Sequence, residues 1–133
     1  MLTIDLSGKT VLVIGGSRGI GAAVTQCMAK AGAKVVFTHT GNPAYAGRVE
    51  ALLADVRHAG GTVEAVALDA CRSEETTAAV AKVVDTHGRV DILVHNAGRN
   101  MERTPEGTTD GEWKAALEIN LSSAFYSVRA VLP

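Results

Sequence analysis

Hydrophobic positions along this chain fall into short runs separated by longer segments of helical period. Apolar and β-branched residues fill "TVLVIG" (Thr10 to Gly15), "AKVVFT" (Ala33 to Thr38), "TVEAVAL" (Thr62 to Leu68) and "VDILVHNAG" (Val90 to Gly98). The first predicts a buried strand, the second and third predict strands, and the fourth predicts a strand running into a loop. Helical spacing follows the first run from about Gly19 to Ala31, closed by Gly32. A second helix carries Val49, Leu52, Leu53 and Val56 on one face and stops at "AGG" (Ala59 to Gly61). A third begins after an expected N-cap at Ser73, with Glu74 and Glu75 in the first turn, where the helix dipole favours acids. It carries Val80, Val83 and Val84 and ends near Gly88. Thr109 and Glu112 have capping-box spacing, and a last helix is expected from about Gly111 towards Leu132.

Strands that alternate with helices predict a parallel sheet with helical crossovers. Near-continuous apolar strands fit a sheet covered on both faces. The fold class is therefore α/β, the first half of a doubly wound Rossmann-type sheet, with expected strand order 3-2-1-4.

The bulk properties narrow the choice of partner. The 133 residues are expected to form one domain, and 47% apolar content argues against disorder. A net charge of −1, with scattered Lys and Arg, points to neither nucleic acid nor an anionic membrane. No basic start with a long apolar run precedes the domain, and no apolar stretch reaches spanning length, so a cytoplasmic location is expected. Cys27 and Cys71 form no C-x-x-C pair and read as small reduced core residues. The four histidines show no paired ligand spacing, and no metal site is expected.

The candidate chemistry begins at "GGSRGIG" (Gly15 to Gly21). The first strand-to-helix turn of such a sheet presents backbone N–H groups and a positive helix dipole to an anion. Glycines let the backbone approach a pyrophosphate closely. The spacing Gly15, Gly19, Gly21 is neither G-x-G-x-x-G nor a P-loop, so the turn by itself predicts a phosphate cradle of unspecified ligand.

The next strand sharpens that ligand. In NAD sites an acid about 20 residues further on grips the ribose hydroxyls. The second strand is expected to end at Thr38, where that acid should stand, yet no Asp or Glu occurs between Gly21 and Glu50. A carboxylate about 4 Å from a 2′-phosphate would cost about 4 kcal/mol per unit charge at an effective dielectric near 20. Its absence favours NADP over NAD. Arg18 offers positive charge, and His39, Thr40 and Asn42 offer hydrogen-bond donors.

These residues resemble the short-chain dehydrogenase/reductase family. "GGSRGIG" is similar to its T-G-x-x-x-G-I-G loop, with Ile14 in place of threonine. The resemblance implies that Gly15, Ser17, Arg18, Gly19, Ile20 and Gly21 hold the cofactor. "LDA" (Leu68 to Ala70) resembles the acidic site after the third strand, which implies that Asp69 and Ala70 contact adenine. "HNAG" resembles the N-N-A-G loop, with His95 replacing the first asparagine, and implies cofactor contacts at Asn96, Ala97 and Gly98. "EINLSSAF" resembles the helix that carries the asparagine of a catalytic tetrad, which would be Asn120. "VVFTHTGN" is similar to the NADP-preferring ketoreductase branch. The implied activity is hydride transfer between NADPH and a small-molecule ketone or alcohol.

The family's chemistry also needs a serine and a Tyr-x-x-x-Lys pair. Tyr45 is followed four residues on by Val49, and Tyr126 by Ala130. The chain is therefore expected to be the cofactor-binding half of such an enzyme, cut before the catalytic Tyr/Lys segment and inactive alone. A non-catalytic NADP-binding module, or a half-enzyme completed by another chain, are the alternatives. A homo-oligomer is expected, because Trp113, Leu117, Leu121, Ala124, Phe125, Val128 and Leu132 form a broad apolar stripe, and the fourth strand is left as a sheet edge.

Overall fold

A computed structural model describes residues 1–133. Four parallel strands, β1 (Thr10–Ile14), β2 (Lys34–His39), β3 (Thr62–Ala67) and β4 (Ile92–His95), make one sheet in the order β3-β2-β1-β4. The expected topology is the one observed. Helices α1 (Gly19–Lys30), α2 (Ala46–His58) and α3 (Ser73–His87) connect the strands. After β4 the chain crosses a polar loop to α4 (Asp110–Leu117), a π-helical turn (Glu118–Ser122) and α5 (Ser123–Val131).

The side-chain period of two divides the core between the two faces of the sheet. Val11 and Val13 of β1, with Val35, Phe37 and Val63, pack against Ala29 of α1 and Val49, Leu52, Leu53 and Val56 of α2. Leu12 and Ile14, with Val36, face the other way and meet Val80 and Val83 of α3, with Ala130 and Val131 at the edge. All five β1 residues are buried, which is why this strand reads as a continuous apolar run. Each such Val, Leu or Ile contributes about 1.5–3 kcal/mol by leaving water.

Several local expectations are corrected. β2 runs one residue further than expected, to His39, with Thr38 buried inside it. Its pairing with β3 extends to His39 opposite Ala67, so the sheet and not the loss of apolar character sets its end. α3 is capped at Arg72 and not at Ser73, which is already helical. The physical reason lies in Glu75, whose carboxylate reaches back to accept the Asp69 amide at 2.8 Å and tightens the turn before the helix. The capping box at Thr109 and Glu112 forms as expected, but the last helix is broken by the π-helical turn at Asn120. Cys27 is exposed on α1 and Cys71 only half-buried in the turn before α3, so neither is a core residue. Asn120, also on an apolar stripe, is exposed too.

The fourth strand pairs only with β1, and no strand covers its outer edge. Asp91 pins its start: the carboxylate accepts the Thr10 amide at 2.8 Å and an ion pair from Arg89 at 2.8 Å. No helix is long and apolar enough to cross a membrane.

Candidate functional site

The C-terminal ends of β1, β2 and β4 converge on the glycine turn. Gly15 takes a left-handed φ of +77°, and its amide donates to Thr38 Oγ1 at 3.1 Å. The Gly16 amide donates to the Thr38 carbonyl at 3.0 Å, and the Thr25 hydroxyl donates to the Gly16 carbonyl at 3.1 Å. Thr38 and Thr25 are both buried, and each spends its polar atoms on holding the turn. A Cβ on Gly15 would meet the Ala97 backbone at 2.9 Å, and one on Gly21 would overlap the Gly15 carbonyl. The glycines are thus required first by the protein's own close packing. Gly19, with φ of +51°, has open space above it.

That open space is where the start of α1 points. Arg18 is the N-cap in extended conformation, with no side-chain cap and no acid in the first turn. The leading N–H groups of the helix and its positive dipole end are left for an anion. The Arg18 side chain folds instead over the Tyr45 ring, with the guanidinium carbon 3.8 Å from its centroid. Sequence reasoning missed Tyr45, which stands in the short 3-10 turn Pro43–Tyr45 before α2. An aromatic ring set between basic positions after a strand end was the available signal.

The loop after β2 is ordered by its own side chains. His39 Nδ1 accepts the Gly41 amide at 3.1 Å, Thr40 Oγ1 accepts the Asn42 amide at 3.3 Å, and Asn42 Oδ1 accepts the Ala44 amide at 2.9 Å. In each case the acceptor atom is committed inward. What remains is a donor: His39 Nε2–H, the Thr40 hydroxyl hydrogen and the Asn42 amide NH2. The three residues singled out as donors therefore form a loop whose unused valences favour an anion.

The remaining candidates lie along the same edge. Asp69 Oδ1 accepts the Cys71 amide at 2.9 Å, which leaves its second oxygen free, and Ala70 follows in the same turn. Asp69 and Gly98 line a single hollow of about 460 Å³ with Cys71, Arg99, Glu118 and Ile119. Burial, with the nearby Asp69 and Glu118 carboxylates, pushes the Cys71 thiol up. Asn96 is fixed twice: its amide donates to the Ile14 carbonyl at 2.8 Å and its side chain to the Gly15 carbonyl at 3.2 Å. Ala97 lies against Gly15.

Asn120 closes this loop from below. Its Oδ1 accepts the Arg99 amide at 3.0 Å, and its Nδ2 donates to the carbonyls of Arg99 and Ala116, both at 3.0 Å. The Ala116 carbonyl is the one an unbroken α-helix would give to Asn120's own amide. The side chain competes for it, and the helix widens into the π turn there. Oδ1 lies 2.8 Å from where a Cβ of Gly98 would stand. Both donors and the carbonyl of the Asn120 side chain are committed to backbone, so in this arrangement it positions the Gly98–Arg99 loop.

His95, the substitute in the "HNAG" loop, faces α5. Its ring nitrogens meet Ser123 Oγ at 3.1 Å and Ser127 Oγ at 3.0 Å. Burial holds its pKa below the usual histidine range. No group of three or more potential metal ligands occurs. Tyr126 donates to Glu118 Oε1 at 2.8 Å, which raises its pKa, and the residue four positions on is Ala130.

Comparisons with known proteins agree with the fold. The chain is 35% identical over 129 residues to 3-oxoacyl-[acyl-carrier-protein] reductase FabG of Vibrio cholerae, covering 97% of this chain and 50% of the relative. A dehydrogenase/reductase from Sinorhizobium meliloti superposes with TM-score 0.91 at 34% identity, covering 97% of this chain and 50% of that one. A metagenomic short-chain oxidoreductase in complex with NADP superposes with TM-score 0.88 at 34% identity, over 96% of this chain and 57% of that one. The chain spans about half the length of the curated relatives it matches. The short chain dehydrogenase family model matches residues 9–133, so the chain belongs to the short-chain dehydrogenase/reductase family.

Proposed function

We propose that residues 1–133 act as one domain that binds NADP(H), within an oxidoreductase that reduces a ketone, of the kind found in a 3-oxoacyl group, to an alcohol. The observation that carries this reading is the loop after β2: its acceptors are turned inward, its donors are free, and Arg18 stands beside it with no acid in ion-pair contact. A 2′-phosphate suits that set, whereas ribose hydroxyls would want an acceptor. The uncapped start of α1, with Gly15, Ser17, Gly19, Ile20 and Gly21, fits a pyrophosphate. Asp69 and Ala70 fit adenine, and Asn96 to Gly98 line the path towards the nicotinamide end. When bound, the cofactor supplies the hydride; these residues orient it and balance its charge.

Asn120 is read as a supporting member of the catalytic group, acting through the Gly98–Arg99 loop. The general acid and the lysine that would accompany it are proposed to lie outside these 133 residues, since neither tyrosine has a lysine at the required spacing. The kinship to ketoreductases supports a carbonyl substrate in the whole protein. The exposed face of α4 and α5, with Trp113 59%, Leu121 64% and Phe125 57% exposed, supports self-association.

Calorimetric titration of the protein with NADPH and with NADH tests the cofactor reading. At least tenfold tighter binding of NADPH is expected; equal affinities would overturn it. The 133 residues alone are expected to give no NADPH-dependent turnover on β-keto substrates, and clear turnover would overturn the assignment of the acid to other residues.

A further inference from the structure

Two cations share one aromatic ring beside the loop that follows β2. The guanidinium carbon of Arg18 lies 3.8 Å from the Tyr45 ring centroid, and that of Arg48, in the first turn of α2, lies 6.0 Å from it. Neither arginine belongs to an ion pair; the five acid–base pairs of the chain engage Arg72, His87, Arg89 and Arg103. Both guanidinium carbons lie within about 6 Å of one ring centroid without a counter-ion, and an anion bound there would offset the local positive charge. The backbone that carries the ring is held: the Tyr45 amide donates to the Asn42 carbonyl at 3.0 Å, and Asn42 caps the same turn. Tyr45 thus links the donors of the loop to both cations through one short, ordered segment.

We propose that Tyr45 is a positioning residue for cofactor choice: its π face holds Arg18 and Arg48 together as a two-cation receptor for a phosphate on the 2′ position of the adenosine ribose. The assignment rests on the NADP reading above and adds two residues to it. Arg18 comes from the glycine turn and Arg48 from α2, so neither helix alone makes the receptor. Tyr45 joins them because an aromatic face attracts a guanidinium at this distance and leaves its N–H groups at the ring's edge free to donate. Tyr45 touches no cofactor atom in this role. Its effect is to lower the freedom two long side chains would otherwise lose on binding.

The test uses adenosine 2′,5′-bisphosphate and 5′-ADP as probes, titrated by calorimetry into the whole protein and its variants. The quantity read is the ratio of the two affinities. In the natural protein the bisphosphate is expected to bind at least tenfold tighter. Tyr45→Leu, which keeps apolar bulk without a π face, is expected to cut that ratio about fivefold while 5′-ADP binding stays unchanged. Tyr45→Phe is expected to keep the ratio, since the ring face and not the hydroxyl does the holding. Arg48→Gln is expected to lower it severalfold. A purely structural role for Tyr45 would weaken both probes equally, and that result overturns the proposal. So does a ratio untouched by Tyr45→Leu in a protein that still prefers the bisphosphate, and this leaves the NADP reading standing. A ratio near one in the natural protein overturns both.

Discussion

His95 Nδ1 lies 3.0 Å from the fully buried Ser127 Oγ, so a titratable ring ties the sheet edge to α5. Its Nε2 meets Ser123 Oγ one turn away. Each hydroxyl also reaches a backbone carbonyl, Ser123 to Ile119 O at 2.6 Å and Ser127 to Ala124 O at 2.9 Å, so a neutral ring donates to one serine and leaves its other nitrogen to compete for the second hydroxyl's hydrogen. Burial disfavours the charged form, so the folded-state pKa lies below the unfolded value. The sign follows directly. Below the unfolded pKa of about 6.5 the unfolded chain takes up a proton that the folded chain resists. The stability contributed by neutral His95 is present above that pH and is lost as the pH falls towards the folded pKa. Melting temperature should therefore drop between pH 7.5 and 5.5. His95→Asn, which keeps a donor and an acceptor, should flatten that part of the profile relative to the natural protein. A His95→Asn profile as steep as the natural one would refute the assignment.

Gly21→Ala probes the turn without touching charge. The added Cβ would overlap the Gly15 carbonyl, which also accepts from Asn96. The turn must open to accommodate it, at a cost of roughly 1–3 kcal/mol. Both a lowered melting temperature and weakened dinucleotide binding are expected. Undiminished binding, measured by calorimetry, would mean that the turn is not where the pyrophosphate rests.

Cofactor preference should invert at His39, not at Thr38. Thr38 is buried and holds the Gly15 amide, so an acid there would disturb the turn before it met any ribose. His39 ends the strand with its Nε2 free. His39→Asp replaces that donor with a charged acceptor. It should weaken NADPH at least tenfold and strengthen NADH, by adding repulsion to the 2′-phosphate and a partner for the ribose hydroxyls. Unchanged Kd values for both cofactors would sink the idea that this strand end reads the ribose.

Phe125→Glu tests the exposed face of α4 and α5. Phe125 is solvent-exposed in the single chain, with Arg129 over its ring at 4.8 Å, so the substitution costs the monomer little. In an assembly formed through this face it would bury a carboxylate and its Arg129 neighbour, and their desolvation outweighs their pairing. Light scattering should show the natural protein as a dimer or larger and Phe125→Glu as a smaller species. An identical mass for both would remove this face from the interface.

The strand order, the helices between strands and the glycine turn were all legible from residues alone. These features follow from local patterns: short continuous apolar runs, apolar positions three and four apart, and glycines between a strand and a helix. The alternation of element types then leaves few topologies for a parallel sheet, which is why the sequence itself predicts the order β3-β2-β1-β4. Asn42, Thr40 and His39 were legible as polar loop residues, but not which of their atoms would be spent on backbone amides. That division depends on φ and ψ in the loop, and so on how β2 pairs with β3 up to His39. The end of β2 itself moved by one residue for the same reason. The Arg18–Tyr45 stack joins residues 27 positions apart, and the Asn120 bonds to Arg99 join residues 21 apart. No periodic signal encodes such pairs, because they form only when the sheet brings the ends of its strands together. Nor did the pattern reveal that His95 would face two serines. The sequence by itself determined which segments are strands and helices, because burial on two faces is written in local hydrophobic order. Only the tertiary structure decided which polar atoms remain free at the sheet's C-terminal edge, because every hydrogen bond made there within the protein removes a valence that a ligand could otherwise use.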